Sequence, residues 1–290
     1  SMAAACADFL AMEREAGSLW AGERARLRRQ AGVPEASGAR YGQFVTLASG
    51  METLPRRLAD DLRSRGVRFV TGSVSSLERS SDGRWQIAGS GLDDAIATAD
   101  TVVIATPARV ASRILDHLDR PLAGDLAAID YAGSCIVSLG FARDRVTHPL
   151  DAAGMVIPRL AGRRILAVSF SSSKFPGRAP EGCVLMRVFV GGALDREAME
   201  LGDDALVELA LGEVRDLLGA RGEPKLAHVE RWDHAMPQYH VGHVARVARI
   251  EAAIARHPGL SLAGAAYKGV GIPQVIASGN AAARRCLGNG

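Results

Sequence analysis

Apolar and polar positions follow two different periods along the chain. Between residues 5 and 30, apolar side chains recur at helical spacing, as at Phe9, Met12 and Ala16, which predicts helix. Many later segments are short apolar runs bounded by Gly, Pro, Asp and Ser, a pattern typical of strands. The predicted helices are 5–30, 51–65, 107–118, 203–218, 243–256 and 270–287, with a loop at 31–40. The predicted strands are 43–47, 67–70, 75–78, 84–87, 95–97, 101–105, 134–141, 154–157, 164–170, 184–190, 225–232 and 260–263.

The order of these elements predicts the fold class. Helices and strands alternate near both ends, and the stretch 101–105 is almost wholly apolar, which suits a buried strand of a parallel sheet. The middle of the chain, from 134 to 190, is rich in strands with little helix between them. We therefore expect an α/β (mixed α+β) fold with two interleaved domains.

Composition narrows the classes of function. The chain has 290 residues, of which 48% are hydrophobic and 23% are charged, as in an ordinary globular protein. The net charge of +3 is small and the arginines are scattered, so we expect no nucleic-acid partner. No apolar run reaches the roughly 18 residues of a membrane-spanning helix.

The histidines are the first candidates for a metal site. His228, His234, His240 and His243 follow one another closely. Their spacings match no standard zinc-ligand pattern, and no cysteine lies close to them in sequence. We therefore predict that the chain has no metal site.

The segment 262–273, with the sequence LAGAAYKGVGIP, carries the most specific chemical signal. It predicts a buried strand, a turn of small residues, and a helix with Pro273 in its first turn. Small residues let a flat ligand approach the backbone, and the unpaired amides at a helix N-terminus favour an anion or an electron-rich carbonyl. The pyrimidine edge of a flavin has this character, because negative charge builds there on reduction. Glycines placed only for packing are the equally supported alternative.

The dinucleotide-binding fingerprint GxGxxG is absent from the chain. Gly89 and Gly91 lie near a predicted hairpin and lack a third glycine at the required spacing, while Gly269 and Gly271 lack a suitable acidic partner. The usual pyrophosphate cradle is therefore not part of this chain.

Six segments carry motifs that recur, in this order, in a known family. They are 10–19 (LAMEREAGSL), 47–54 (LASGMETL), 104–108 (IATPA), 171–180 (SSSKFPGRAP), 231–239 (RWDHAMPQY) and 267–273 (YKGVGIP) with 278–279 (SG). They resemble the protoporphyrinogen oxidase family, which belongs to the flavin-containing amine oxidase superfamily. The motifs spread over nearly the whole chain, and several of them are specific.

The resemblance implies an incomplete FAD-binding Rossmann-like domain interleaved with a β-rich substrate domain. Residues 1–40 would be a remnant of a helical, membrane-side substrate domain, and 121–233 the β-rich domain. Residues 41–120 and 234–290 would belong to the FAD domain. The family's N-terminal βαβ unit would lie outside this chain. A buried parallel strand would then become an exposed edge, so the chain alone is expected to bind FAD weakly and to turn over little.

The resemblance also implies site residues. Val74 is expected near the adenosine end of FAD, with an ordinary strand position as the alternative. The residues expected near the flavin ring are Trp232, Ala265, Val270, Gly271 and Ile272. For Trp232, a core aromatic position is the alternative.

Substrate contacts implied by the resemblance fall on Ala153, Val156 and Phe189. The family often has an aromatic residue where Ala153 stands, and simple core packing is the alternative for all three. No residue is assigned as catalytic, because hydride transfer to a flavin needs no side-chain nucleophile.

The implied reaction is the FAD-dependent oxidation of protoporphyrinogen IX to protoporphyrin IX in haem biosynthesis, with molecular oxygen as electron acceptor. Alternatives are oxidation of coproporphyrinogen III to coproporphyrin III, and a non-catalytic half that needs an N-terminal partner. An amine or carotenoid oxidase is a further alternative, against which the segments 171–180 and 236–239 argue. We expect a cytoplasmic protein, and the resemblance leaves open a peripheral membrane contact and a homodimer.

Overall fold

The computed structural model describes residues 1–30, 45–92 and 98–288. These residues divide into two compact units. The first takes its described residues from 1–38, 60–130 and 237–290, and the second from 39–59 and 131–236. Both units are therefore assembled from separate stretches of chain. The functional labels of the four segments predicted above stay predictions.

The helices and strands alternate along the described chain. The helices are α1 (Met2–Ala5), α2 (Ala7–Ala16), α3 (Leu19–Gln30), α4 (Thr53–Ser64), α5 (Ala108–Leu115), α6 (Arg120–Ala127), α7 (Ser171–Lys174), α8 (Asp203–Leu218), α9 (His243–Ile254) and α10 (Ile272–Cys286). The strands are β1 (Ser73–Arg79), β2 (Trp85–Ser90), β3 (Thr98–Ala99), β4 (Val102–Ile104), β5 (Tyr131–Ala142), β6 (Gly154–Val156), β7 (Ile165–Phe170), β8 (Cys183–Gly191), β9 (Leu226–Pro237) and β10 (Leu260–Leu262). The mixed α/β class is confirmed.

The N-terminal helical region is interrupted, where the sequence predicts one continuous helix. α2 ends because Gly17 adopts the left-handed conformation, with a φ of 78°. Its N–H donates to the carbonyl oxygen of Glu13, which is a common way to close a helix. Among the described residues, no helix combines the length and the apolar character that crossing a membrane requires.

The first unit contains a parallel strand pair. β10 runs parallel to β4, with Leu262 opposite Ile104, and α10 packs against both strands. β1, β2 and β3 form a separate antiparallel sheet, which includes the predicted hairpin. The parallel pair brings the chain segments that follow Ile104 and Leu262 to the same edge. Ligands of parallel sheets bind beyond the carboxyl ends of the strands.

Two strand predictions in the first 70 residues are wrong for the part that the structure describes. Residues 67–70 and 45–47 form no strand, because no described residue pairs with them and an extended segment without a partner leaves its backbone groups unbonded. The predicted burial of β4 is also only partly right. Val103 is 41% exposed, since β4 pairs with β10 alone among the described strands. The predicted loop 31–40, residues 43–44 and the strand 95–97 lie outside the described residues.

Helix α6 has no counterpart in the sequence prediction, and a side-chain cap explains its start. Asp119 is the N-cap residue, and its carboxylate accepts the amide of Leu122 at 3.0 Å. The same carboxylate also accepts hydrogen bonds from Arg256 and His257. Burial raises the pKa of Asp119, but these hydrogen bonds outweigh burial and hold the pKa below its usual value. The cap is therefore charged at neutral pH.

The second unit is built on a five-stranded antiparallel sheet in the order β6-β7-β8-β5-β9. One face of this sheet is buried against α8, which supplies Leu206, Ala210 and Val214 to the core. On β8, alternate residues such as Val188 and Val190 are fully buried on this face. The opposite face, called the outer face below, carries the other residues of each strand because side chains alternate along a strand.

Candidate functional site

The turn between β10 and α10, residues 263–271, forms the centre of the candidate site. It starts at the carboxyl end of the parallel strand pair, where the amide of Ala263 donates to the carbonyl of Ile104 at 3.0 Å. Gly271 is the N-cap of α10 and Pro273 lies in the first turn, so the first amides of α10 have no partner within the helix. Val270 and Ile272 are about half exposed, at 48% and 50%. The turn therefore presents free amides beside apolar side chains.

Tyr239 ties the two ends of this turn together. Its hydroxyl donates to the carbonyl of Ala265 at 2.5 Å and accepts the amide of Gly269 at 2.8 Å. The amide of Gly264 in turn donates to Ser278 Oγ on α10 at 3.1 Å. One phenol thus bridges residues four apart in a loop that has no regular backbone pairing of its own.

His243 packs against the ring of Tyr239. The two rings stack with their centroids 4.0 Å apart, and His243 is only 1% exposed. Its Nε2 lies 3.1 Å from the carbonyl oxygen of Tyr267, which can only accept, so Nε2 carries the proton. Burial lowers the pKa of His243, and the ring is therefore neutral at neutral pH. The pair holds the turn without adding a charge to it.

Val74 lines a separate cavity in the same unit. The cavity has a volume of about 360 Å³ and is also lined by Gly72, Ile104, Ala105 and Thr106. The cavity runs along β4 and reaches Ala105 and Thr106, which directly follow the strand. The structure therefore places Val74 beside β4, in the same unit as the turn, and no residue of the turn lines this cavity.

Trp232 lies on β9 in the second unit, and its side chain is 51% exposed, so it is not a core aromatic. Arg231, the preceding residue, ties β9 to the segment that leads into α8. Arg231 donates to the carbonyl of Met199 at 3.0 Å and to the carbonyl of Leu201 at 2.6 Å. It also donates through Nε to Asp203, the first residue of α8, at 3.1 Å. Arg231 thus anchors the strand segment that presents Trp232.

The substrate residues implied by the resemblance lie in the second unit. The strand register places Val156 opposite Ala167 and Ala167 opposite Phe189. Val156, Ala167 and Phe189 therefore point to the outer face. Val156 is 82% exposed and is not a core residue. Ala153 lies one residue before β6, where its carbonyl accepts the amide of Phe170. The structure therefore groups Val156 with Phe189 and leaves Ala153 outside their row.

Comparison with known proteins identifies the family of this chain. The sequence profile of the family described as flavin containing amine oxidoreductase matches residues 1–287. The chain belongs to this family. It is 31% identical over 289 residues to "Coproporphyrinogen III oxidase" of Bacillus subtilis, covering 96% of this chain and 58% of that protein. It is 31% identical over 265 residues to "Protoporphyrinogen oxidase" of Bos taurus, covering 88% of this chain and 54% of that protein.

A solved structure supports the same assignment. A protein described as a protoporphyrinogen oxidase from Exiguobacterium sp. 255-15 superposes with a TM-score of 0.75 at 28% identity, covering 94% of this chain and 56% of that one. The chain thus spans somewhat more than half the length of the relatives named here. The resemblance to the protoporphyrinogen oxidase family is confirmed.

FAD, the cofactor of this flavin-containing family, fits the residues present in the turn. A flat ring needs close approach to the backbone, and the turn consists largely of Gly and Ala around Val270. The amides at the start of α10 suit the electron-rich edge of the ring. The residues that would hold the ring are Ala265, Val270 and Gly271 of the turn and Ile272, the first residue of α10. Trp232 and Val74 stay predicted contacts.

Two residues of this arrangement were missed as site residues from the sequence. Tyr239 lies in the motif segment 231–239, which predicts no individual role for it, and the sequence makes His243 a candidate only for a metal site. Both act through contacts with residues more than twenty positions away, which no periodicity reveals. Tyr239 lies before α9 and His243 is the first residue of that helix, so the stacking of their rings depends on the turn at 240–242 and not on a helical spacing that the sequence could reveal. No group of three metal-ligating side chains occurs among residues 1–30, 45–92 and 98–288.

Replacing Tyr239 by phenylalanine tests the bridge across the turn. Tyr239→Phe keeps the ring that stacks on His243 and removes the two hydrogen bonds to Ala265 and Gly269. We expect unfolding free energy to fall by about 1–2 kcal/mol. We also expect the Gly269 amide to exchange with solvent about tenfold faster, because its acceptor is gone. Amide exchange measured by NMR on the chain checks this, and an unchanged rate at Gly269 would show that the bridge does not hold the turn.

Proposed function

We propose that a protein containing this chain oxidises a porphyrinogen to the corresponding porphyrin with FAD as cofactor, as a step of haem biosynthesis. Relatives named for this activity on two porphyrinogens align with 88–96% of the chain, and the motif segments 171–180 and 231–239 support the same class. Protoporphyrinogen IX is the substrate that the resemblance implies, and coproporphyrinogen III is the other candidate.

The turn at residues 263–271 is the observation that carries the proposal. It joins four features: the carboxyl end of a parallel strand pair, a small-residue backbone, free amides of α10 and a neutral Tyr239–His243 support. A flavin whose pyrimidine edge lies at these amides is easier to reduce, because the helix end stabilises the negative charge that reduction creates there. The arrangement therefore favours an oxidase rather than a binding protein.

The residues of the chain position and enclose the reactants rather than react with them. When bound, FAD would accept two electrons in each of three successive oxidations of the substrate, and molecular oxygen would take these electrons from it with formation of hydrogen peroxide. Val270 and Ile272 keep the neighbourhood of the ring apolar. Val156 and Phe189 offer an apolar row for a tetrapyrrole. No described side chain of the turn needs to ionise for this role.

The experiment compares two porphyrinogens on one protein. The full-length protein is purified, its visible spectrum is recorded for bound flavin, and protoporphyrinogen IX and coproporphyrinogen III are supplied separately under air. We expect bound FAD, formation of fluorescent porphyrin well above the rate without protein, and one hydrogen peroxide per two electrons removed.

The 290-residue chain alone serves as the second arm of this experiment. We expect it to bind FAD more weakly and to turn over little. Absence of flavin and of porphyrin formation in the full-length protein would contradict the proposed function. Equal FAD affinity and turnover of the chain alone would contradict the expectation that it supplies only one wall of the site.

A further inference from the structure

The outer face of the second unit's sheet has a second row beside the apolar one. The strand register pairs Gly154 with Ser169, Ser169 with Arg187, and Arg187 with Ser138. Directly opposed residues of neighbouring strands point to the same face. This row lies two residues along the strands from the row of Phe189, at a distance of about 7 Å. An apolar row is therefore bordered by a row that carries one cation and two hydroxyl groups.

Arg187 has no acidic partner among the described residues, unlike three other arginines of the second unit. In the same unit, Arg163 pairs with Glu213, Arg164 with Asp195 and Arg231 with Asp203. Arg187 makes no ion pair with any residue that the structure describes. Its guanidinium carbon lies 5.5 Å from the centroid of the Phe189 ring, and its side chain is exposed. The positive charge is thus directed to the outer face and held beside an aromatic ring.

The neighbours of Arg187 leave room for a ligand. Ser138 and Ser169 flank it on the adjacent strands, and Gly154 closes the row. None of these side chains is long enough to cover the guanidinium, and the two hydroxyls can each donate a hydrogen bond to an anion. A planar guanidinium binds a carboxylate through two parallel hydrogen bonds. The row is therefore suited to a carboxylate whose attached group is apolar.

We propose that Arg187, with Ser138 and Ser169 beside it, binds a propionate carboxylate of the porphyrinogen while the row of Val156 and Phe189 packs against its ring. This rests on the proposed function. A porphyrinogen combines an apolar macrocycle with propionate side chains at its edge, which matches an apolar row bordered by a cation. Arg187 is thus a substrate-binding and specificity-determining residue, and it favours substrates with free carboxylates over their uncharged derivatives.

The test compares a porphyrinogen with its ester. Steady-state kinetics of the full-length holoenzyme are measured with coproporphyrinogen III and with its tetramethyl ester in detergent micelles, because esterification removes the charges and keeps the ring. For Arg187→Gln we expect KM for the free acid to rise roughly tenfold, with kcat and Tm unchanged. With the ester, we expect the same KM for Arg187→Gln and for the unaltered protein. Arg187→Lys, which keeps the charge but loses the planar fork, is expected to be intermediate.

Arg164→Gln is the matched control, because this exposed arginine already pairs with Asp195. We expect it to leave both KM values unchanged. An unchanged KM of Arg187→Gln for the free acid would overturn the proposal, as would an equal rise for the ester, which would place Arg187 against the ring instead. Absence of porphyrin formation by the unaltered protein from both protoporphyrinogen IX and coproporphyrinogen III would overturn the proposed function, and with it this inference.

Discussion

Replacing Gly269 by alanine is expected to weaken FAD binding by the full-length protein at least tenfold and to lower unfolding free energy by about 2–4 kcal/mol. Gly269 has a φ of +133°, a backbone conformation that residues with a side chain rarely adopt. A Cβ at this position would also lie 2.7 Å from Cγ and 2.8 Å from Cβ of Gln274. Alanine at this position therefore forces the turn to change shape. The amide of residue 269 then moves away from the hydroxyl of Tyr239, to which it donates in the unaltered protein.

Gly279→Ala is the matched control for this substitution. Gly279 lies inside α10, and a Cβ added there would meet no atom within 4 Å. Alanine in a helix interior costs less backbone entropy than glycine, so we expect this variant to gain about 0.5–1 kcal/mol. Urea unfolding of the chain and FAD titration of the full-length protein measure the two effects. Equal behaviour of the two alanine variants would show that the conformation of Gly269 does not matter.

Periodicity along the sequence was sufficient for the elements whose partners are local or plentiful. The predicted bounds of α8 agree with Asp203–Leu218, because acidic residues stand at its start and Gly219 ends it in the left-handed conformation. On β8 the alternating pattern identifies the buried residues, and the same alternation identifies the outer face. The resemblance identifies Phe189 as a substrate contact but gives no role to Arg187, two residues earlier on that face. The role of Arg187 depends on the residues that the neighbouring strands place beside it.

Contacts between distant parts of the chain could not be predicted in this way. Residues 67–70 have the apolar pattern of a strand, but strand formation depends on a partner, and no described residue supplies one. The bridge from Tyr239 to Ala265 and Gly269 joins residues 26 and 30 positions apart. The motifs indicated that both segments matter, and only the fold shows that one holds the other.

Among residues of the second unit that lie outside the apolar core, Arg231 is expected to cause the largest loss of unfolding free energy when it is replaced. Arg231→Met keeps the length of the side chain and removes hydrogen bonds to the carbonyls of Met199 and Leu201 together with the ion pair to Asp203. The two carbonyls belong to a partly buried segment that leads into α8, so they lose a charged donor that water replaces incompletely. We expect unfolding free energy to fall by about 2–3 kcal/mol.

Arg164→Met is the comparison variant, because it removes an ion pair without removing hydrogen bonds to backbone carbonyls. Arg164 is exposed and pairs with Asp195, and an exposed ion pair contributes at most about 1 kcal/mol. If the carbonyl bonds anchor the strand that presents Trp232, Arg231→Met should destabilise the protein by more than Arg164→Met. It should also shift the emission of Trp232, resolved by comparison with a Trp232→Phe variant. Arg231→Lys retains a charge near Asp203 but cannot reach three acceptors at once, so it should recover only part of the loss. Equal destabilisation by the two methionine variants would show that Arg231 contributes no more than a surface ion pair. The position of Trp232 would then be determined by strand pairing alone.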